Sequence, residues 1–381
     1  MCRQLRAAMT QMQADVAGRR LLLGVGLGSA LAVGATVALH GPSLPLYANR
    51  YGITLADAAA IVAAQWGGAF LAVASLMLGA RLTARWALGA LALGCGLIAA
   101  GVSWPLTLAG AVILGCGHGL SSAVFNSRLL AEFGVRGPSV LGLANALFGV
   151  GAIAAPLLLL AFGNDPRIVF ALLALGAAAL LPFARPPVRV ATGAAADGPM
   201  AEGLGNLIRR GRGVVWVGVG AVGAEAALAG LGPAALIARG TTQEAAALWT
   251  SALFAAFVLA RLSLVWLALR IPARRLVQAG LAGLALAMAG AALGPPGPFF
   301  AAAGAAVGIL FPSYFVLGAE ALGRTPRAGS VLVAASLAGG VGMPAVLAGI
   351  GAALFPVLGV FAVLLFVALP ALAPRSVRET A

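Results

Sequence analysis

The stretch GVVWVGVGAVGAEAALAGLGPAALIA, residues 213–238, decides which solvent this chain folds in. It carries one charged side chain, Glu225, in an otherwise apolar run. A helix that crosses a bilayer needs about 20 predominantly apolar residues, so we predict that this stretch is a transmembrane helix. A carboxylate at mid-membrane depth is destabilising by several kcal/mol unless it is protonated, paired or hydrated, and Glu225 is therefore a candidate functional residue.

The rest of the chain has the same character. Of its 381 residues, 62% are hydrophobic and 9% are charged, whereas soluble domains contain about 25% charged residues. We therefore predict an all-α membrane protein with twelve transmembrane helices, the first retained and not cleaved as a signal peptide. The predicted spans are about 21–46, 56–80, 86–102, 105–130, 138–162, 167–183, 213–238, 244–268, 273–293, 297–320, 327–352 and 354–372.

The basic residues are all arginine, and they cluster in the short segments between the apolar runs. If the N-terminus is cytoplasmic, the loops of the other side hold only Arg50, Arg167 and Arg239. By the positive-inside rule we predict a bacterial inner (plasma) membrane protein with both termini in the cytoplasm. The net charge of +14 is thus a signal of topology, and we expect no binding to nucleic acid.

The chain also repeats itself, because the motif EFGVRGP of the first half returns in the second half as EALGRTP. The matched positions are Glu132 with Glu320, Arg136 with Arg324, Pro138 with Pro326 and Pro156 with Pro344. Internal symmetry of this kind is typical of transporters whose substrate site lies between two repeats. We predict an N-terminal six-helix half at 1–183, a basic cytoplasmic linker at 184–213 and a C-terminal six-helix half at 214–381.

Twelve spans in two pseudo-symmetric halves resemble the major facilitator superfamily. The nearest resemblance is to the branch that contains the fucose–proton symporter and sodium–glucose-like transporters, with their bacterial relatives. The stretches that carry it are GPSLPLYANRYGIT after the first span, GCGHGLSSAVFN in the fourth, NALFGVGAIAAP in the fifth, GAEAALAGLGP in the seventh and LARLSLVW in the eighth. The resemblance implies alternating access and a cavity lined by spans one, four, seven and ten.

The chain departs from the family at several functional positions. The loop after the second span keeps Arg81 and Arg85 but has Thr83 where the family has an aspartate. The proton-handling acids of the fucose symporter are replaced by Gly41 and Ser122. The resemblance still implies a cytoplasmic gate made by charged residues at the helix ends. Its members would be Arg81, Arg85, Glu132, Arg136, Glu320 and Arg324.

Glu225 has one obvious partner. It lies roughly 17 Å from either end of its span, and Arg261 of the eighth span lies roughly 13 Å from the cytoplasmic end. These depths predict an ion pair between Glu225 and Arg261. Two interpretations remain open: Glu225 exchanges a proton as the cavity switches sides, or the pair is a permanent brace between the seventh and eighth spans.

Polar and aromatic side chains on the spans expected near the cavity are candidate substrate contacts. They are His40, Gln65, Trp66, His118, Ser122, Asn126, Asn145 and Tyr314. Each has a structural alternative, such as a hydrogen bond across helices, packing of a histidine among glycines, or an aromatic ring at the membrane interface.

The sequence shows no metal-ligand cluster, phosphate loop or nucleophile–base motif, so we expect no enzyme activity, no cofactor and no metal site. We predict a monomeric secondary active transporter that moves a small solute across the bilayer by alternating access, coupled to protons or another ion through Glu225. The alternative within transport is efflux of an amphipathic compound or metabolite by proton antiport. A third possibility is a non-transporting sensor or scaffold built on the same fold.

Overall fold

The computed structural model describes residues 2–184, 204–323 and 325–373, and the elements in these ranges are helical. The helices are α1 (Cys2–Tyr51), α2 (Leu55–Met77), α3 (Ala84–Ala100), α4 (Trp104–Phe133), α5 (Gly137–Ala161), α6 (Pro166–Leu180), α7 (Leu204–Arg210), α8 (Arg212–Ala238), α9 (Gln243–Arg270), α10 (Ala273–Leu293), α11 (Pro296–Leu322), α12 (Pro326–Val346) and α13 (Leu354–Leu372). Arg324 and residues 185–203, most of the predicted linker, lie outside the described residues. The last part of that linker forms the short helix α7.

Eleven helices in the described ranges are long and apolar enough to cross a membrane. The third predicted span corresponds to α3, which has 17 residues and so lies at the short end of the spanning range. The chain is therefore an integral, multi-pass membrane protein with an all-α fold, as its composition predicts. The count of twelve spans remains a prediction.

The first helix is longer than its apolar pattern predicts. The predicted span ended near residue 46, but α1 continues to Tyr51 and includes Pro42 and Pro45. Prolines are tolerated inside membrane helices where neighbouring groups satisfy the backbone. Between the two prolines, Ser43 Oγ donates to Leu39 O at 2.7 Å, a further bond within α1. The predicted bound followed the apolar run, whereas the helix itself continues for one more turn.

The first six and the last six spanning helices pack in the same pattern. In the first set α1 packs on α5, α4 on both α2 and α3, and α3 on α6. In the second set α8 packs on α12, α11 on both α9 and α10, and α10 on α13. Glycines allow these close approaches, since a Cβ at Gly34 of α1 would overlap the backbone of Phe148 in α5.

The two faces of the bundle are distinguished by their loops. The arginine-rich face holds the loops at 78–83, 134–136 and 271–272, whose helix ends carry most of the described arginines. The opposite face holds the loops at 52–54 and 239–242, among others.

The two sets of helices meet where α1 packs on α8, α2 on α12 and α5 on α9. These contacts reach the opposite face, where Gln243 Nε2 donates to Pro42 O at 2.6 Å. Apolar side chains, including Leu44, Leu231 and Leu347, line a small crevice there. Toward the arginine-rich face, no contact of comparable extent joins α4 to α11 in the described ranges. The bundle is therefore closed at the opposite face and separates toward the arginine-rich face.

Candidate functional site

Glu225 lies at the centre of α8, a helix whose other residues are mostly buried. Its neighbours Ala224 and Ala226 are almost fully buried, and Gly223 lies against Gly339 of α12. The Glu225 side chain retains 17% of its exposure. The small residues that surround it let α8 pack closely on α12, while the side chain of Glu225 is not completely buried.

Arg261 of α9 is brought to Glu225, as the matching depths predict. Its Nη2 lies 4.0 Å from Glu225 Oε1, and the Arg261 side chain is 27% exposed. This separation is at the outer limit for an ion pair and too long for a hydrogen bond. The second carboxylate oxygen, Oε2, is buried and has no hydrogen-bond partner in the described structure. The carboxylate is therefore paired loosely with its arginine and incompletely satisfied.

Arg261 has two further contacts that sequence reasoning missed. Its Nε donates to the backbone carbonyl of Gly308 in α11 at 3.2 Å. Its Cζ lies 4.1 Å from the centre of the Phe257 ring, a distance typical of a cation–π interaction. The guanidinium thus joins α8, α9 and α11. The sequence did contain a signal for the Gly308 contact, because Pro312 follows four residues later.

Trp66 of α2 and His118 of α4 form an aromatic pair at the contact between the halves. Their ring centroids lie 5.8 Å apart in an edge-to-face arrangement. A Cβ at Gly340 of α12 would lie 2.6 Å from the Trp66 ring, so the indole packs directly on the second half. His118 Nδ1 is buried without a hydrogen-bond partner in the described structure. Trp66 and its ring partner His118 therefore lie where the first set of helices packs on the second.

Ser122 and Asn126 continue the line of His118 along α4, because residues four apart share a helix face. On one side of this face α4 packs on α1, where Ser29 Oγ donates to Ser121 Oγ at 2.8 Å. On the other side α4 packs on α2. Ser122 is exposed and Asn126 is half-buried. Neither side chain is therefore enclosed by the packing of α4 on its neighbours.

Asn145 reaches the same region from α5. It is exposed and lies one turn from Gly149, which contacts Val258 of α9. Because α5 and α9 run in opposite directions, Asn145 and Arg261 lie on the same side of this contact, toward the arginine-rich face.

Three of the predicted substrate contacts are held inside one half, which corrects their assignment to the opening. His40 is buried against Phe170 of α6, with ring centroids 5.3 Å apart. Gln65 Nε2 donates to Thr36 Oγ1 at 3.3 Å, and Tyr314 Oη donates to Leu332 O at 3.2 Å. Gln65 and Tyr314 satisfy polar groups between packed helices. The amphipathic pattern could not show this, because every face of these helices is apolar.

The predicted gate residues are not brought together in this structure. Arg81, Arg85, Arg136 and Glu320 are exposed, and Glu132 is half-buried. Among the described residues no ion pair joins a gate residue of one half to one of the other. Arg85 Nε instead donates to Ala184 O in its own half at 3.0 Å. The reason is geometric, since the halves are apart on the face that carries these side chains. Arg324 lies outside the described residues.

Within the described ranges no three His, Cys, Asp or Glu side chains are grouped as metal ligands would be. No protein-family model and no curated protein matches the sequence. Solved structures do match its fold. A mutant of the nucleoside transporter NupG superposes with a TM-score of 0.75 at 14% identity, over 92% of this chain and 99% of that one.

Two further solved structures are similar over nearly the whole chain. The D-xylose–proton symporter gives a TM-score of 0.71 at 16% identity, covering 93% of this chain and 98% of that chain. FucP, described as a major facilitator superfamily transporter in the outward conformation, gives 0.56 at 20% identity, covering 92% and 99%. The resemblance to the sodium–glucose-like branch stays a prediction. The chain therefore has the all-α fold of the major facilitator superfamily transporters.

Proposed function

We propose that the protein is a secondary active transporter that moves a small polar solute by alternating access, with proton coupling through Glu225. The observation that carries the proposal is the loose Glu225–Arg261 pair, with Nη2 and Oε1 4.0 Å apart. Glu225 lies at the middle of α8 and Arg261 lies in the second half of α9, both away from the helix ends. A carboxylate that is partly exposed and incompletely hydrogen-bonded in a membrane protein is suited to taking up and releasing a proton.

The arrangement of the halves supports the transport cycle. We propose units at 1–183 and 214–381, joined by a linker at 184–213 and acting as two rocking bodies. By the positive-inside rule the arginine-rich face is cytoplasmic in a bacterial inner membrane, with both termini on that side. The described state is then open to the cytoplasm, and the gate arginines and glutamates would approach one another when that face closes. A monomer contains the complete opening.

The lining favours a neutral solute with hydroxyl or amide groups. Ser122, Asn126 and Asn145 offer donors and acceptors, and Trp66 offers an aromatic face for a sugar or heterocyclic ring. The similar solved structures include a nucleoside transporter and a D-xylose–proton symporter. We therefore propose monosaccharides and nucleosides as the first substrate classes. Proton-antiport efflux of an amphipathic compound is the alternative, and it would require a more apolar lining.

A solute panel tests this proposal on the purified full-length protein. We expect at least one monosaccharide or nucleoside to raise the melting temperature, because a ligand present at 100 times its Kd stabilises the native state by about 2.7 kcal/mol. Asn145→Ala should reduce that shift. Asn164→Ala is the matched control, since Asn164 lies at the opposite face beside Glu244. Stabilisation by amphipathic compounds alone would contradict the substrate class and favour efflux.

A further inference from the structure

Gly308 of α11 has a backbone carbonyl that its own helix cannot satisfy. In an α-helix the carbonyl of residue i accepts a hydrogen bond from the N–H of residue i+4. Residue i+4 is here Pro312, and proline has no N–H. Inside a bilayer a carbonyl without a donor is costly, so a donor from another helix is expected.

Arg261 supplies that donor through its Nε, 3.2 Å from Gly308 O. The contact is possible because α9 and α11 approach closely at this level. A Cβ at Gly308 would lie 2.7 Å from Phe257 O, so a larger residue would separate the two helices. The Phe257 ring lies under the guanidinium, 4.1 Å from Cζ, because residues four apart share a face of α9.

These contacts fix the distance between the two charges. A free guanidinium and a carboxylate usually form short, often bidentate, hydrogen bonds. Held by Gly308 O and the Phe257 ring, Arg261 instead leaves its Nη2 4.0 Å from Glu225 Oε1. When Glu225 binds a proton, Arg261 keeps a carbonyl and an aromatic face as partners. When Glu225 is protonated, the Arg261 cation is therefore not left without a partner in the membrane.

The helices packed on this site add no competing charge at ion-pair distance in the described ranges. Tyr314 of α11 donates to Leu332 O, and Ser336 of α12 donates to the same carbonyl at 2.9 Å. On α1, His40 faces Phe170 and Tyr47 faces Trp104. Arg261 is thus the charged group that acts directly on Glu225.

We infer that Gly308, Pro312 and Phe257 form an anchor for Arg261 that keeps its guanidinium from closing onto Glu225, so that Glu225 can be loaded with a proton. Arg261 is a positioning residue in this scheme, and its anchor is set by the proline. The inference rests on the proposed role of Glu225 in proton coupling, but it concerns the protonation equilibrium of that side chain and can be measured without transport.

The experiment is a pH titration of the purified full-length protein in lipid, followed by difference infrared spectroscopy. The signal is the carbonyl stretch of a protonated carboxylic acid that Glu225→Gln removes. Pro312→Ala restores an N–H that competes for Gly308 O and frees Arg261 to approach Glu225. We expect the midpoint of the Glu225 signal to move to lower pH by about one unit, a tenfold change in proton affinity.

Pro344→Ala is the matched control, because Pro344 also lies inside a spanning helix but Gly340, four residues before it, packs on the Trp66 ring and not on a charged side chain. It should leave the midpoint unchanged. If Pro312→Ala does not yield folded protein, Phe257→Leu should move the midpoint in the same direction. If the Glu225 midpoints of Pro312→Ala and Phe257→Leu both equal that of Pro344→Ala, the proposal that Arg261 is anchored is wrong. Unchanged accumulation in Glu225→Gln would instead overturn the coupling role and leave the anchor standing.

Discussion

Replacing Glu225 by glutamine is expected to abolish solute accumulation driven by a pH gradient in proteoliposomes. Glutamine has the shape of a protonated glutamate but cannot release a proton. The substituted carrier should therefore behave as if permanently loaded and still exchange solute across the membrane. Accumulation should fall to the level of liposomes without protein, whereas counterflow of labelled solute should persist. The measurement uses whichever solute stabilises the purified protein.

Glu244→Gln is the control for this substitution. Glu244 is also on a spanning helix but is exposed in the first turn of α9, at the opposite face, so its neutralisation should leave coupling intact. Undiminished accumulation in Glu225→Gln would show that the pair with Arg261 is a brace. A brace predicts a different result, namely a lower melting temperature with normal accumulation. Because Arg261 keeps the Gly308 carbonyl and the Phe257 ring as partners when residue 225 is neutral, we expect little change in the melting temperature.

The sequence was sufficient to predict the bundle and the main charged pair. Apolar length predicts the spans because a bilayer sets a fixed helix length. The depth of Glu225 and Arg261 follows from counting residues along their helices, and the structure brings the two side chains together. The 4.0 Å separation could not be predicted from the sequence, because that distance depends on a backbone carbonyl of a third helix.

The sequence was a poor guide to which way a helix faces. His40, Gln65 and Tyr314 carry polar groups of the kind expected in a substrate cavity, yet each is buried within one half. In a soluble protein the polar face of a helix identifies its exposed side. In this bundle the helix faces toward lipid, toward other helices and toward the cavity are all largely apolar. The periodicity of apolar residues therefore does not identify the face that lines the cavity. The gate remains a prediction, because its contacts are expected only in a conformation in which the arginine-rich face is closed.

The contact between α1 and α8 at the opposite face depends on Gly41. A Cβ added there would lie 2.5 Å from Ala229 O and 2.9 Å from Pro233 Cγ. Neither atom can move away easily, because one belongs to the backbone of α8 and the other to a ring fused to it. Alternating access requires this contact to open and close in each cycle. A methyl group at position 41 would therefore act on the conformational equilibrium.

We expect Gly41→Ala to favour the conformation that is open at the opposite face. Overpacking costs about 1–3 kcal/mol, and 1.4 kcal/mol is a tenfold change in an equilibrium. The open fraction should therefore rise about tenfold. The measurement uses Ala59→Cys in a background in which Cys2, Cys95 and Cys116 are replaced. Ala59 lines the crevice at the opposite face and is 2% exposed, so a membrane-impermeant maleimide should label it only when that face opens.

Gly24→Ala is the matched control for this shift. It lies on the same helix, but a Cβ there would meet no atom within 4 Å. Both substitutions carry the same gain in helix propensity, so the difference between them isolates the contact with α8. Labelling of Ala59→Cys should rise when Gly41→Ala is added and stay at the parent level when Gly24→Ala is added. Transport should be lost only in Gly41→Ala. Equal labelling in the two variants would mean that the α1–α8 contact does not control the opposite face, because the methyl group is accommodated without opening it.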